Sequence, residues 1–256
     1  MVKSGGTSIK EKLEDAAKMD RVDPPRNCVN GPGTAKNCLD AMSMSPVITG
    51  YAELLRYPLE SIGRRCEYFT MMRHPIDRLV SAFFYCPKYD PQNRPDKWCG
   101  DRDDPAPLSE RLLEFALQGW KNKAFRQMTF GLYCPPTAFC EQTKPGAQQA
   151  VVEPGGWDLL QQIEAILGTY TAVGILEHWD LSMELFDKRV RSPVKDWQTI
   201  EKSNPGKRSG VRDDMLRWAH MSPEIHRAMA TDMLMYDYAM SVFKLQTAAT
   251  LGTVWN

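Results

Sequence analysis

Two stretches of this chain carry residue types suited to holding an anion. The first is Lys3-Ser4-Gly5-Gly6-Thr7-Ser8, directly ahead of a segment with helical periodicity. Glycines let backbone N–H groups close on an anion, and a helix N-terminus adds partial positive charge. Lys3 supplies a point charge, and Thr7 and Ser8 supply hydroxyl donors. The lysine precedes the glycines, so the order differs from the G-x-x-x-x-G-K-[ST] loop of the nucleoside triphosphatases. The second stretch is TMMRHPIDRLVSAFFY, residues 70–85. Arg73 ends an apolar run of strand type, and Pro75 suits a first helical turn, where its missing N–H is harmless. Ser81 falls off the apolar stripe of Ile76, Leu79, Val80, Phe83 and Phe84. Arg73 and Ser81 can therefore converge on one anion, and a guanidinium fork suits a phosphate. Each stretch also has a plainer reading. The first is equally an ordinary capped helix start. In the second, Arg73 and Arg78 can simply pair with Asp77 or with nearby loops.

The elements that must position these groups alternate in type. Residues 7–19 read as a helix and 22–46 as loop. PVITGY (46–51) and CEYFTMM (66–72) read as strands, and a helix follows from Pro75. Two helices are expected near 108–119 and 121–132, and another over 157–167. TAVGIL (171–176) reads as a strand and 178–190 as a helix. Residues 192–212 are irregular and basic, and Ser222-Pro223 starts a last helix running to about Leu245. Strands alternating with helices predict an α/β fold with a parallel sheet, as one domain over 1–256.

Composition narrows the function classes. The chain has 256 residues, 43% hydrophobic and 25% charged, with equal numbers of acidic and basic side chains. Zero net charge argues against coating nucleic acid by charge alone. No apolar run approaches the ~18 residues that span a bilayer, and no apolar signal segment opens the chain. Of seven cysteines, six flank short turn-rich loops: Cys28 and Cys38, Cys86 and Cys99, Cys134 and Cys140. These read as three stapled loops in an oxidising compartment. The alternative is six reduced cysteines in a cytosolic protein. No C-x-x-C spacing or other metal ligand set is visible.

Taken together, the Lys-x-Gly-Gly-Thr loop and the downstream Arg-x-Pro-x-x-Arg-x-x-Ser segment resemble the sulfotransferases that use 3'-phosphoadenosine 5'-phosphosulfate (PAPS). VITGYAELL, TAVGILEHWDLSMELF and DMLMYDYAMSVFK resemble further segments of the carbohydrate, Golgi-type branch, so the resemblance is scattered over Lys3 to Lys244. It implies a P-loop-like parallel sheet flanked by helices. It implies that Ser4, Gly5, Gly6, Thr7 and Ser8 cradle the 5'-phosphosulfate and that Lys3 neutralises charge on the breaking S–O bond. Arg73 and Ser81 would hold the 3'-phosphate, with Arg78 positioning the loop. Lys207 and Arg208, in EKSNPGKRSGVR, would cover the cofactor, unless that stretch is a solvated basic loop. Sulfuryl transfer is in-line and loose like phosphoryl transfer, so positioning and fixed donors carry it, and no metal is required.

The acceptor hydroxyl still needs a base. Related enzymes carry histidine after the glycine of the Gly-His segment, but this chain has Gly50-Tyr51. Tyr51 and Glu53 are equal candidates, with His74 behind them, since His74 can instead cap the helix. A tyrosine's ordinary pKa of about 10 suits neutral pH poorly. Only Met1 and Val2 precede Lys3. The strand that feeds such a loop is therefore expected to be missing, together with the membrane anchor of this branch. The resemblance places the protein in the Golgi or another secretory lumen, the cytoplasm being the alternative. The acceptor would be a glycan or another small hydroxylated molecule, with no nucleic acid partner. Membrane contact would come only through the absent anchor. Two other functions compete. One is a degenerate relative that binds PAPS or its product PAP without efficient turnover. The other is a P-loop kinase, disfavoured by the loop order. The loops 87–98 and 135–139 are candidate acceptor-shaping segments. Trp98, Trp120 and Trp157 can stack on a sugar, although packing is the commoner role of such side chains.

Overall fold

A computed structural model describes residues 26–28, 48–50, 67–85, 105–125, 128, 158–191, 197–200 and 210–255. Among these the chain is mostly helical, with two small parallel sheets, an α/β arrangement at the coarse level. Strands β1 (Arg26–Cys28) and β2 (Ile48–Gly50) pair in parallel. Strand β1 lies inside the stretch expected to be loop. Three residues among Pro, Gly and Asn carry too little alternation to show it.

Strand β3 (Phe69–Met72) runs parallel to β4 (Ala172–Ile175), with Met72 opposite Ile175. A parallel pair needs a crossover, and a long segment separates these two. β4 is fully buried, as its unbroken apolar sequence requires. Its edge away from β3 is closed by side chains. Gln246 Oε1 accepts from the Val173 N–H at 3.0 Å, and Ser182 Oγ accepts from the Ile175 N–H at 2.8 Å. Ser182 donates in turn to carbonyls of the same turn, Ile175 and His178.

Helix α1 (Pro75–Tyr85) follows β3 directly, and α2 (Leu108–Phe115) runs into a π-helical turn, Ala116–Trp120. Helix α3 (Leu159–Leu167) opens with a capping box between Asp158 and Gln161. Then come α4 (Trp179–Arg189), α5 (Gly210–Met221), α6 (Pro223–Ala228) and α7 (Ala230–Leu251). Two apolar clusters result. One packs β3 and β4 between α3, α4 and α7, centred on side chains such as Ile163, Ile175, Phe186 and Phe243. The other joins α1, α2, α5 and α6. The stripe read from α1 is its contribution: Ile76, Leu79, Val80 and Phe83 are buried, and Phe84 is partly buried.

Three helices differ from expectation. Helix α5 begins inside the stretch read as irregular; its surface is polar, and only Met215 and Ala219 are fully covered. The helix expected from 121 is displaced by a turn in which Asn122 takes φ 47°. The last helix is broken at Met229 without proline or glycine. That break frees the Thr231 and Asp232 N–H groups, and both donate to Asn122 Oδ1, at 3.1 and 3.3 Å. The cap comes from a residue more than a hundred positions away, so no local signal announces it. At the far end α7 runs past Leu245 to Leu251, where Gly252 takes φ 68°, the left-handed conformation that suits glycine.

Gly174 shows how tightly β4 is held. A Cβ there would lie 2.6 Å from Phe186 Cζ, 3.1 Å from Ser182 Cβ and 3.2 Å from Met71 Cε. Gly174→Ala is expected to destabilise the protein by ~1–3 kcal/mol through overpacking, read as a lower urea midpoint at unchanged slope.

Candidate anion site at the ends of two parallel strands

In open parallel sheets, ligands bind beyond the carboxyl ends of the strands, where successive crossovers meet. Arg73 and His74 leave the end of β3, and Glu177 lies just past the end of β4. Glu177 ties the two exits together. Its Oε1 accepts from the His74 N–H at 3.0 Å, and its Oε2 accepts from the Tyr236 hydroxyl at 3.1 Å. Burial, then the neighbouring Glu177, pushes the Tyr236 phenol well above the usual tyrosine range. Tyr236 is therefore held as a donor, and α7 is fastened to the sheet end.

Arg73 is half-buried. Burial lowers its pKa from the ordinary arginine value. Asp77 and Glu177 pull the other way, and Arg212 adds to the fall. Asp77 and Glu177 offset part of the burial cost, so an anion arriving at Arg73 would compete with these carboxylates, with Arg212 on its side. Ser81 is also half-buried, six residues along α1 from Pro75. At about 1.5 Å per residue that is ~9 Å of helix. An anion shared by Arg73 and Ser81 therefore lies along the flank of α1 rather than at its tip.

Arg78 has a different task. It is buried, and its Nη2 donates to Asp232 Oδ2 at 3.1 Å. Asp232 also accepts from the Ala124 and Phe125 N–H groups, at 2.9 and 2.8 Å. The partners expected for Arg78 were Asp77 or nearby loops; one partner, Asp232, lies on α7, and that pair sits inside the protein.

His74 occupies the N-cap position through its backbone: its carbonyl accepts from the Arg78 N–H at 2.9 Å. Its side chain does not cap. The ring stacks toward His220, with centroids 4.9 Å apart, and lies edge-on to Tyr236 at 5.2 Å. Burial lowers the His74 pKa, with Asp77 opposing and His220 adding. His220 Nε2 lies 2.8 Å from Asp77 Oδ1.

Of the residues read as functional, Arg73 and Ser81 stand on the β3–α1 unit. Lys3, Ser4, Gly5, Gly6, Thr7, Ser8, Tyr51, Glu53, Lys207 and Arg208 lie outside the described residues. So do Cys38, Cys86, Cys99, Cys134 and Cys140, and with them the three loop pairings. Trp120 is buried in the second cluster, stacked on Phe115, with Lys123 Nζ 4.3 Å from its ring centroid. It is a packing residue rather than a sugar platform. Trp98 and Trp157 lie outside the described residues.

Sequence reasoning assigned no role to Glu177, Tyr236, His220 or Asp232. Glu177 had a signal, an acid immediately after an apolar strand. The other three sit on α5 and α7 and reach the site only through folding. No helix among the described residues is long and apolar enough to cross a membrane. No protein-family model matches the chain, and no curated protein matches it.

Proposed function

We propose that the protein is a PAPS-dependent sulfotransferase with a P-loop-like fold, acting on a hydroxyl of a carbohydrate acceptor. One observation carries this reading. Arg73 emerges, partly dehydrated, at the carboxyl end of a parallel strand, two residues ahead of the proline that opens α1, with Ser81 farther along that helix. A 3'-phosphate between Arg73 and Ser81, along the flank of α1, would gain a guanidinium fork and a hydroxyl donor. The donor set therefore fits the nucleotide that the motifs imply.

PAPS supplies an activated sulfuryl group and a phosphate leaving group. The chain's part is to hold and neutralise. Gly5, Gly6, Thr7 and Ser8, with Ser4, would cradle the 5'-phosphosulfate. Lys3 would balance charge on the bridging oxygen as its bond to sulfur breaks and the acceptor oxygen takes the sulfur. Glu53 or Tyr51 would receive the acceptor's proton. Lys207 and Arg208 would close over the nucleotide. The lumen of the secretory pathway is the compartment that matches the branch and the loop-flanking cysteines.

The segment that follows β2 favours a second reading. Gly50, the last residue of β2, precedes a tyrosine where the resembling enzymes carry histidine. A chain that binds PAP without efficient turnover would look the same at Arg73. Incubation with radiolabelled PAPS and a panel of hydroxylated glycans separates the two. Label on a glycan is expected. PAP binding with no label on any acceptor would favour the non-catalytic reading, and neither binding nor transfer would overturn both.

A further inference from the structure

We propose that His74, Asp77 and His220 form a binding site for a divalent transition metal of the zinc type. Their ligand atoms, one from each residue, lie within 4.8 Å of one another. His220 Nε2 is 2.8 Å from Asp77 Oδ1, and His74 Nδ1 is 3.8 Å from the same oxygen. Around a tetrahedral zinc with bonds of about 2.0–2.2 Å, ligand atoms stand about 3.3–3.5 Å apart. The two separations to Asp77 Oδ1 bracket that spacing.

His74 supplies a second, independent observation. Its Nδ1 is buried and has no hydrogen-bond partner among the described residues. Asp77 Oδ1, at 3.8 Å, is beyond hydrogen-bond range. Buried polar atoms are normally satisfied, and one left over asks for a ligand. A metal placed between the two rings and the carboxylate would take that lone pair.

The frame is built before any ion arrives. Asp77 lies three residues after His74, and such spacing on a helix sets both side chains on one face. His220 comes from the last turn of α5, which packs against α1. The His74 backbone is pinned by Glu177, and the edge of its ring rests on Tyr236. Both contacts fix where the His74 ring stands. Arg73, next in the chain, opposes a dication. Asp77 within the site, with Glu177 and Asp237 acting on the His74 ring from outside it, offsets that charge. His220 and Asp77 are only partly covered, with side chains 40% and 25% exposed. Further coordination positions therefore face solvent. Two imidazoles and a carboxylate with open positions suit zinc, nickel, copper or ferrous iron rather than magnesium or calcium.

The ion would pin the start of α1 to the end of α5, a link that needs no nucleotide and stands apart from the sulfotransferase reading. Cobalt is the probe, because its visible absorption distinguishes nitrogen and oxygen ligands from thiolates, and this chain has seven cysteines. The full chain, stripped with a chelator, is titrated with Co²⁺. The expected result is one ion per chain, with ligand-field bands and no thiolate charge-transfer band. His220→Gln and Asp77→Asn should each weaken binding by more than about tenfold, as loss of even a supporting contact does. His220 and Asp77 sit at the surface, so these variants fold. No saturable binding, a purely thiolate spectrum, or binding unchanged in both variants would overturn the proposal.

Discussion

Asp232→Ala is expected to destabilise the folded protein by ~3–5 kcal/mol, the usual cost of removing one partner of a buried ion pair. The Asp232 side chain is fully buried and that of Arg78 nearly so. The carboxylate compensates the guanidinium and also accepts the Ala124 and Phe125 N–H groups. Alanine leaves a buried charge, one buried donor and one part-buried donor behind, and each donor left unmade carries its own desolvation cost. Chemical unfolding in urea reads the loss directly. Replacing both members with leucine should recover a large part of it, because an apolar pair of similar volume removes the stranded charge. A loss below ~1 kcal/mol in the single variant, the range of exposed ion pairs, would mean that the pair is hydrated rather than enclosed. The pair also bears on the anion site. It ties α1, which begins two residues after Arg73, to α7, so the variant should lose nucleotide affinity along with stability.

Lys3→Ala should lower the rate of sulfuryl transfer by ~10²–10³ while leaving PAP binding largely intact. That magnitude is typical for removing one fixed donor aimed at developing charge. The expected signature is a fall in kcat larger than the change in KM, because in the proposed mechanism the lysine would act on charge that grows only as the S–O bond breaks. Single-turnover measurements with PAPS isolate that step. A rate within about threefold of wild type would remove Lys3 from the chemistry, and the glycine-rich loop would then be an ordinary helix start.

What the sequence disclosed follows from the range of the interactions involved. The α1 stripe and the buried strand β4 were legible because periodicity and unbroken apolar runs are local properties. Arg73 was legible for the same reason, at a point where strand-type sequence changes to helical. The break at Met229 was not, because its cap is the distant Asn122. Neither was the partner of Arg78: Asp77 is adjacent in sequence, yet the buried Asp232 wins because it also satisfies the 124–125 backbone. The His74–Asp77–His220 cluster escaped for a related reason. Metal-ligand patterns are read from short spacings, and here 143 residues separate Asp77 from His220. Helix α5 lacked a strong apolar stripe, and its fit against α1 is a tertiary matter.

Arg73 is proposed to anchor a 3'-phosphonucleotide. Thermal unfolding of the purified chain against increasing PAP, with ATP as the control, tests it most directly. A ligand bound only by the native state adds ~2.7 kcal/mol at a hundredfold excess over Kd. The predicted result is a Tm that climbs with PAP, responds weakly to ATP, and no longer responds to PAP in Arg73→Ala. A clean transition that PAP leaves unmoved, or that ATP raises equally, would contradict it.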